Sequence, residues 1–507
     1  MTTPDANLFS RLLGTLREPG KTVIETAEGE RISYGDLVAR SGRMANLLVA
    51  RGVKPGDRVA VQVEKSVENL VLYLATVRAG AVYLPLNTAY TAHEIDYFVT
   101  DAEPALVVCD PAKAEAIRVI AAKVGAQVET LDAHGEGSLS AAAEAEPQDF
   151  ATVKREGSDL AAILYTSGTT GRSKGAMLTH DNLMSNTLTL TDTWRFTARD
   201  VLIHALPIYH THGLFVASNV TLCAGASMIF LPKFDADRII ELMPRATVLM
   251  GVPTFYTRLL ANPRLTRETA AHMRLFVSGS APLLADTHRE WSARTGHAVL
   301  ERYGMTETGM NTSNPYDGER VPGAVGFPLP GIAARVTDPE TGKELPHEEI
   351  GMIEVKGPNV FKGYWRMPEK TAAEFRPDGF FITGDLGKID RNGYVHIVGR
   401  GKDLVITGGF NVYPKEIESE IDAMAGVVES AVIGVPHADF GEGVTAVVVA
   451  EKDARLDEAA VIGALDGKLA KFKIPKRVFF VDELPRNTMG KVQKNILRQT
   501  YATIYQG

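Results

Sequence analysis

The sequence predicts an α/β fold, with parallel strands and covering helices through most of the chain. Three observations carry that prediction. Apolar runs of strand length recur before about residue 311. Segments with helical spacing separate many of them. The composition is that of an ordinary globular chain, with 507 residues, 45% hydrophobic and 23% charged. A chain of this length divides into several core-forming units.

Taken in order, residues 58–63 (Arg-Val-Ala-Val-Gln-Val) read as a strand. Residues 66–79 follow with Leu70, Tyr73, Leu74 and Val77 at helical spacing. Residues 81–86, 105–109, 160–164, 227–231, 248–252 and 275–278 are further short apolar strands, and the Ala/Glu run at 141–146 reads as a solvated helix. The alternation predicts parallel sheets with helices on both faces. Ligands of such sheets gather at the carboxyl ends of the strands. After about Asn311 glycine and proline become frequent, and residues 351–356 and 393–398 read as antiparallel strands. Arg400-Gly-Lys-Asp403 then introduces a last unit of about a hundred residues, enough for a small domain.

Charge and cysteine usage narrow the function. The net charge of -8 argues against broad nucleic-acid or anionic-membrane binding, so any anion site must be local. Two cysteines, Cys109 and Cys223, both in apolar surroundings, predict a reduced compartment without a disulfide framework. The opening Met1-Thr-Thr-Pro lacks the basic and apolar regions of a signal peptide. No apolar run reaches the length of a membrane span. The expectation is a cytoplasmic protein.

Chemistry concentrates in Tyr165-Thr-Ser-Gly-Thr-Thr-Gly-Arg-Ser-Lys174-Gly175. Thr166, Ser167, Thr169 and Thr170 supply hydroxyls, Gly168 and Gly171 let backbone N–H groups approach an anion, and Lys174 adds charge. A buried strand leads into this loop, which makes it a phosphate-binding arrangement. It is not a Walker loop, because Lys174 is followed by glycine rather than Ser or Thr. Elsewhere Glu301-Arg-Tyr-Gly-Met-Thr-Glu-Thr308 joins an aromatic ring, hydroxyls and two carboxylates. Tyr303 suits stacking on a purine, Thr306 a phosphate, and Glu307 a hard cation such as Mg²⁺. Asp385, in Thr383-Gly-Asp385, suits the hydroxyls of a ribose. Lys491 ends a glycine-containing turn, Pro485-Arg-Asn-Thr-Met-Gly-Lys491. Each of these has a plain structural explanation when taken alone.

Together these motifs, in this order and spacing, resemble the adenylate-forming superfamily of acyl-CoA synthetases, luciferases and peptide-synthetase adenylation domains. The resemblance covers essentially the whole chain. It implies a large N-terminal domain (1–399) of two doubly wound subdomains plus a small β-barrel. A hinge at 400–402, with Lys402 as pivot, and a small mobile α+β C-terminal domain (403–507) follow. It implies ATP and CoA as co-substrates and Mg²⁺ as cofactor. Thr166–Thr170 and Lys174 would cradle the β- and γ-phosphates, and Thr170 and Glu307 would contact Mg²⁺. Ser280, Ala281, Pro282 and Tyr303 would line the adenine, with Glu301, Gly304, Met305 and Thr306 completing the nucleotide site. Asp385 and Arg400 would hold the ribose. Lys491 would act on the α-phosphate and the attacking carboxylate, and Gly408, Gly409 and Phe410 would face the CoA pantetheine.

The choice of acid turns on other residues. Pro207-Ile-Tyr-His-Thr-His-Gly213 matches the family's acyl-pocket segment, and the resemblance implies that His210 and Thr211 would face the acid together with Ser278 and Met310; the plain alternative for His210 is packing against the pocket. Arg302 departs from the small or neutral residue of many relatives. A buried guanidinium is costly unless paired and suits a second carboxylate; the plain alternative is a pair with Glu301. Residues 207–213 and 301–310 resemble malonyl-CoA synthetases, which implies malonate as substrate and methylmalonate as a further candidate. A synthetase for oxalate or a short monocarboxylate, a carrier-protein-loading module, and a non-catalytic nucleotide-binding protein are the alternatives. Lys491 in its turn is also a plausible target for a protein acetyltransferase, since acetylation removes the charge.

Overall fold

The apolar runs form the parallel strands of two large sheets. The computed structural model describes residues 5–14, 18–166, 173–407, 410–437, 440–466, 468–469, 471–487 and 490–505. A seven-stranded sheet holds Arg58–Gln62 beside Val82–Pro85 and Leu106–Cys109, all parallel. A nine-stranded sheet carries Val201–His204, Ser227–Phe230, Val248–Gly251, Leu275–Ser278 and Leu300–Met305 in parallel. The antiparallel strand Gly309–Ser313 follows directly from Leu300–Met305 and is flanked at the edge by Phe327–Pro328. The carboxyl ends of both sets of strands carry the motif residues, where crossovers leave a crevice.

The helix expected after the first of these strands is Val67–Arg78, started by Ser66, whose side chain accepts from Asn69 N. It is buried nearly all round rather than on one stripe. Helices Leu8–Leu13 and Tyr34–Ala50 cover it, so the apolar spacing reports only the part of that burial visible to periodicity. Its polar groups are paired inside: Tyr73 Oη lies 3.1 Å from Asn219 Oδ1, and Tyr83 Oη donates to Asn69 Oδ1 at 2.7 Å. The Ala/Glu run lies at the end of a helix, Ser138–Glu144.

Leu160–Thr166 runs parallel to Val82–Pro85 but antiparallel to Lys174–Thr179, with Thr166 opposite Lys174. The hydroxyl-rich loop therefore joins two strands of one hairpin rather than a strand and a helix. Among the described residues the loop leads into a strand and not a helix, so an anion there would rely on hydroxyls and Lys174 more than on a helix dipole.

The expected small β-barrel is built on a four-stranded antiparallel sheet of Ala333–Thr337, Gly351–Lys356, Phe381–Ile389 and Val395–Arg400. Glu354 is fully buried there between Arg335, Arg376 and the Thr337 hydroxyl. The C-terminal unit has its own sheet of Val405–Thr407, Phe410–Val412, Val427–His437, Gly441–Ala450 and Arg477–Phe480. Helices Pro414–Asp422 and Glu458–Leu465 close a separate core around Val432, Val444 and Val461. Among the described residues no helix is long and apolar enough to cross a membrane.

Candidate active site

One group of motif residues meets around Asp385. In the antiparallel pair of Phe381–Ile389 with Val395–Arg400, Asp385 stands opposite Arg400. Arg400 Nε reaches Asp385 Oδ1 at 2.6 Å, and Tyr303 Oη donates to Oδ2 at 2.6 Å. Thr383 Oγ1 accepts from the Asp385 amide at 3.0 Å. Burial and then the Asp385 charge push the Tyr303 phenol well above its usual range, so it stays a donor. The side chains expected at ribose and adenine thus converge. Ser280 and Ala281 are half-buried and Pro282 is exposed, just past the end of Leu275–Ser278. Ser280 has a φ of +72°, a conformation that costs a non-glycine residue and recurs at ligand sites.

Lys491 approaches the same place from the C-terminal unit. Gly490 faces Thr254 of the N-terminal part, where an added Cβ would lie 3.4 Å from Thr254. Solvent still reaches the Lys491 side chain. Crowding by protein atoms and then the Arg400 charge lower its pKa, while Asp385 works against that shift. The lysine is therefore in electrostatic range of both ribose-site candidates. Lys402 sits in the short turn Gly401–Asp403 that separates the Val395–Arg400 strand from the C-terminal sheet.

A second group surrounds the phosphate-loop hairpin. Thr166 Oγ1 donates to Glu307 Oε1 at 3.4 Å. Ser167, Gly168, Thr169 and Thr170 lie outside the described residues, as do Gly408 and Gly409; Phe410 is described only as the first residue of its strand. Lys174 is buried, pairs with Glu374 at 3.1 Å and stacks 4.1 Å above the Tyr364 ring. Tyr364 Oη bridges Glu374 Oε2 at 2.6 Å and Glu307 Oε1 at 3.1 Å. Tyr364 and Glu374, which connect Lys174 to Glu307, escaped sequence reading because nothing in their neighbourhood marks them. Among the described residues there is no group of three or more carboxylate, histidine or cysteine ligands. One buried carboxylate beside a phosphate loop fits a Mg²⁺ that keeps phosphate oxygens and waters as its other ligands.

The third group is the proposed acid pocket. Thr211, His212, Ser278 and Arg302 are all buried. Each presents a polar atom without a hydrogen-bond partner: Thr211 Oγ1, His212 Nε2, Ser278 Oγ, and Arg302 Nε and Nη2. Natural proteins seldom leave such atoms unmatched, so a ligand or water completes them. Gly279 lets the guanidinium sit close against the backbone, since a Cβ there would lie 2.4 Å from the guanidinium carbon of Arg302 and force it to move. Burial pushes the Arg302 pKa down to about 9, with the nearby Tyr256 phenol opposing the shift, so the charge is held at a cost. Met310 is buried against Gly304. Thr211 and Thr306 also line a small cavity of about 10 Å³ with Asn186 and Asn359.

The structure separates Glu301 from this company. Its carboxylate lies 3.1 Å from His288 Nδ1 and accepts from the Gly323 amide at 3.2 Å. Successive residues of a strand point to opposite faces, so Glu301 turns away from the side that Arg302 takes. Its side chain is taken up by His288 and the Gly323 amide, and the alternative pair between Arg302 and Glu301 does not form. Gly304 and Met305 continue the strand as half-buried backbone opposite Met310 and Gly309.

The buried histidines set a pH limit on the fold. Burial, followed by the Arg302 and Lys491 charges, lowers His210 from 6.5 to about 4. Burial and neighbouring basic groups also hold His204 and His212 well below the usual histidine range. The unfolded chain takes up these protons at the higher pH, so stability is full above about 6.5 and is lost as the pH falls through about 4. The thermal unfolding midpoint should fall across that window, and less so in His210→Gln. A midpoint equally steep in both proteins would contradict the assignment.

The Asp385 cluster, the hairpin that ends in Lys174 and a lysine from a separate unit together point to a class. The chain belongs to the AMP-binding enzyme family, whose model matches residues 15–365; the model of the AMP-binding enzyme C-terminal domain matches residues 416–491. Among solved structures it is similar to ATP-bound MatB from Rhodopseudomonas palustris, with 78% identity, coverage of 99% of this chain and 100% of that one, and a TM-score of 0.98. Apo MatB from the same organism, equally identical over the same coverage, superposes with a TM-score of 0.87. Among curated proteins it is 34% identical to a malonate–CoA ligase of Arabidopsis thaliana, over 97% of this chain and 90% of that protein. It is likewise 34% identical to a mitochondrial malonate–CoA ligase of Bos taurus, over 93% of this chain and 87% of that protein.

Proposed function

We propose that this chain is an AMP-forming ligase that joins malonate to CoA through a malonyl-adenylate. The observation that carries the reading is the buried, unpaired guanidinium of Arg302 beside the other unmatched atoms of the pocket. A dicarboxylate can present one carboxylate to Arg302, Thr211, His212 and Ser278 and offer the other for reaction. An oxygen of that second carboxylate attacks the α-phosphorus of ATP. The bond from phosphorus to the bridging oxygen breaks, and pyrophosphate leaves. In the second half the CoA thiol sulfur attacks the adenylate carbonyl, the bond to AMP breaks, and the thiol proton goes to solvent.

Each residue group has a part in these steps. Asp385, braced by Tyr303 and Arg400, holds the ribose hydroxyls. Thr166, the loop hydroxyls to Thr170, and Lys174 hold the β- and γ-phosphates, Lys174 exchanging Glu374 for phosphate oxygens. Glu307 holds Mg²⁺, which supplies charge neutralisation between phosphates when bound. Lys491 meets the negative charge that builds between carboxylate and α-phosphate. We place the N-terminal domain at 1–399, the hinge at 400–402 and the C-terminal domain at 403–507. Rotation about Lys402 would withdraw Lys491 and bring Gly408, Gly409 and Phe410 to the CoA entrance. The superposition is tighter on ATP-bound MatB than on apo MatB, with TM-scores of 0.98 and 0.87, a difference that such a rotation would produce. Lys491, exposed beside Gly490, is also open to a protein acetyltransferase.

A panel of malonate, methylmalonate, acetate, butyrate and oxalate, each with ATP and CoA, tests the reading through AMP release. Malonate should be used best. Preference for a monocarboxylate or for oxalate would overturn it.

A further inference from the structure

A buried basic pair stands behind the acid pocket, in contact with no expected substrate group. Lys65 follows the strand Arg58–Gln62, and His204 ends the strand Val201–His204. Both are almost fully buried. Lys65 Nζ donates to the His204 backbone carbonyl at 2.7 Å, lies 2.9 Å from His204 Nδ1 and packs 4.2 Å above the Phe230 ring. Among the described residues no carboxylate pairs with it, and burial holds its amine well below the usual range.

The opposite edge of the imidazole reaches the pocket wall. His204 Nε2 lies 3.0 Å from the Gly213 carbonyl oxygen and 3.1 Å from Ser218 Oγ. A carbonyl only accepts, so Nε2 carries the hydrogen and Nδ1 is left to accept from Lys65. The Ser218 hydroxyl donates to the same Gly213 carbonyl at 2.9 Å. This carbonyl belongs to the wide helical turn His212–Ser218, a geometry that recurs at functional sites. The turn is tightly folded back, since a Cβ on Gly213 would lie 2.0 Å from the Pro207 carbonyl oxygen. Thr211 and His212, with their unmatched polar atoms, lie immediately before it.

We infer that Lys65, His204 and Ser218 form a hydrogen-bonded strut that positions the Thr211–His212 wall and so sets affinity for the acid. They are positioning residues, acting through Gly213 rather than on substrate. The inference rests on the reading of this pocket as the acid site. Packing alone would require only volume at these positions, whereas a strut requires a donor at the place of Nε2.

Steady-state kinetics of the full chain distinguish the two. His204→Leu and Lys65→Met should each raise KM for malonate by about tenfold, the scale of losing a buried hydrogen bond. KM for ATP and CoA should stay within about twofold. His204→Gln, whose amide nitrogen can still donate to the Gly213 carbonyl, should stay within about threefold of the parent for malonate. A malonate KM unchanged in the Leu and Met variants, or a rise shared equally by all three substrates, would overturn the strut. Should those variants not fold, His204→Gln and Ser218→Ala decide. Ser218→Ala should raise malonate KM alone by about threefold, and an unchanged value there overturns the inference. If the parent enzyme instead turns over another acid of the panel, malonate is lost as the substrate, and the same comparison made with that acid still judges the strut.

Discussion

Lys491→Ala is expected to abolish malonyl-adenylate formation while sparing thioester formation from supplied malonyl-adenylate. Two anionic reactants, a carboxylate and a triphosphate, must meet in the first half-reaction. The cation nearest the junction should carry a large share of the barrier reduction, so loss of the first half by at least ~10²–10³-fold is the scale for removing one such donor. The side chain is suited to this. It comes from the C-terminal unit, and its pKa is lowered by surrounding protein atoms and the Arg400 charge, with Asp385 opposing. Such a lysine meets the reactants with its hydration already partly stripped. Malonate-dependent ATP–pyrophosphate exchange measures the first half, and AMP release from synthetic malonyl-adenylate with CoA measures the second. Equal loss of both would place Lys491 outside this division of labour.

Arg302→Ala is the second large effect, and it has two readouts that move in opposite directions. Malonate activity should fall by about 2–5 kcal/mol, roughly thirty- to several-thousand-fold in kcat/KM, the cost of removing one partner of a buried charge pair. ATP affinity should change little, because the guanidinium bonds to none of the residues gathered round Asp385. Thermal stability should be preserved or rise, since Arg302 Nε and Nη2 are buried without partners and the free protein bears that charge uncompensated. An arginine serving the fold would behave in the reverse way. Unchanged malonate kinetics, or a marked drop in the unfolding midpoint, would sink the carboxylate-anchor role.

Much of the framework was legible in the chain. Runs such as 106–109 and 275–278 are strands because consecutive apolar residues buried on both faces leave few other solutions, and the structure has them so. The Ser66 cap and the apolar residues after it mark a helix by local rules. Thr166, Glu307, Asp385 and Lys491 stand out in the sequence because phosphate and ribose recognition demands those residue types, and the structure brings Thr166 to Glu307 and Asp385 to Tyr303 and Arg400. The hairpin was less legible. Lys174–Thr179 looks like the tail of a loop, and only its pairing with Leu160–Thr166 makes it a strand. Tyr364 and Glu374 were invisible because their importance comes from Lys174 and Glu307, remote in sequence. Glu301 was assigned to the nucleotide by its place in a motif, but strand alternation and His288 take its side chain elsewhere.

By itself the sequence determined the kind of fold and the kind of reaction, because local periodicity and short motifs encode both. Tertiary structure alone decided which polar groups are left without partners. Whether Arg302 meets a carboxylate, and whether Lys65 and His204 stand behind the turn that carries Thr211, depends on strands brought together from distant parts of the chain. Hydrogen-bond satisfaction is a property of three-dimensional neighbours. In this protein the unmatched atoms of the pocket, rather than any motif, point most directly to the acid it takes.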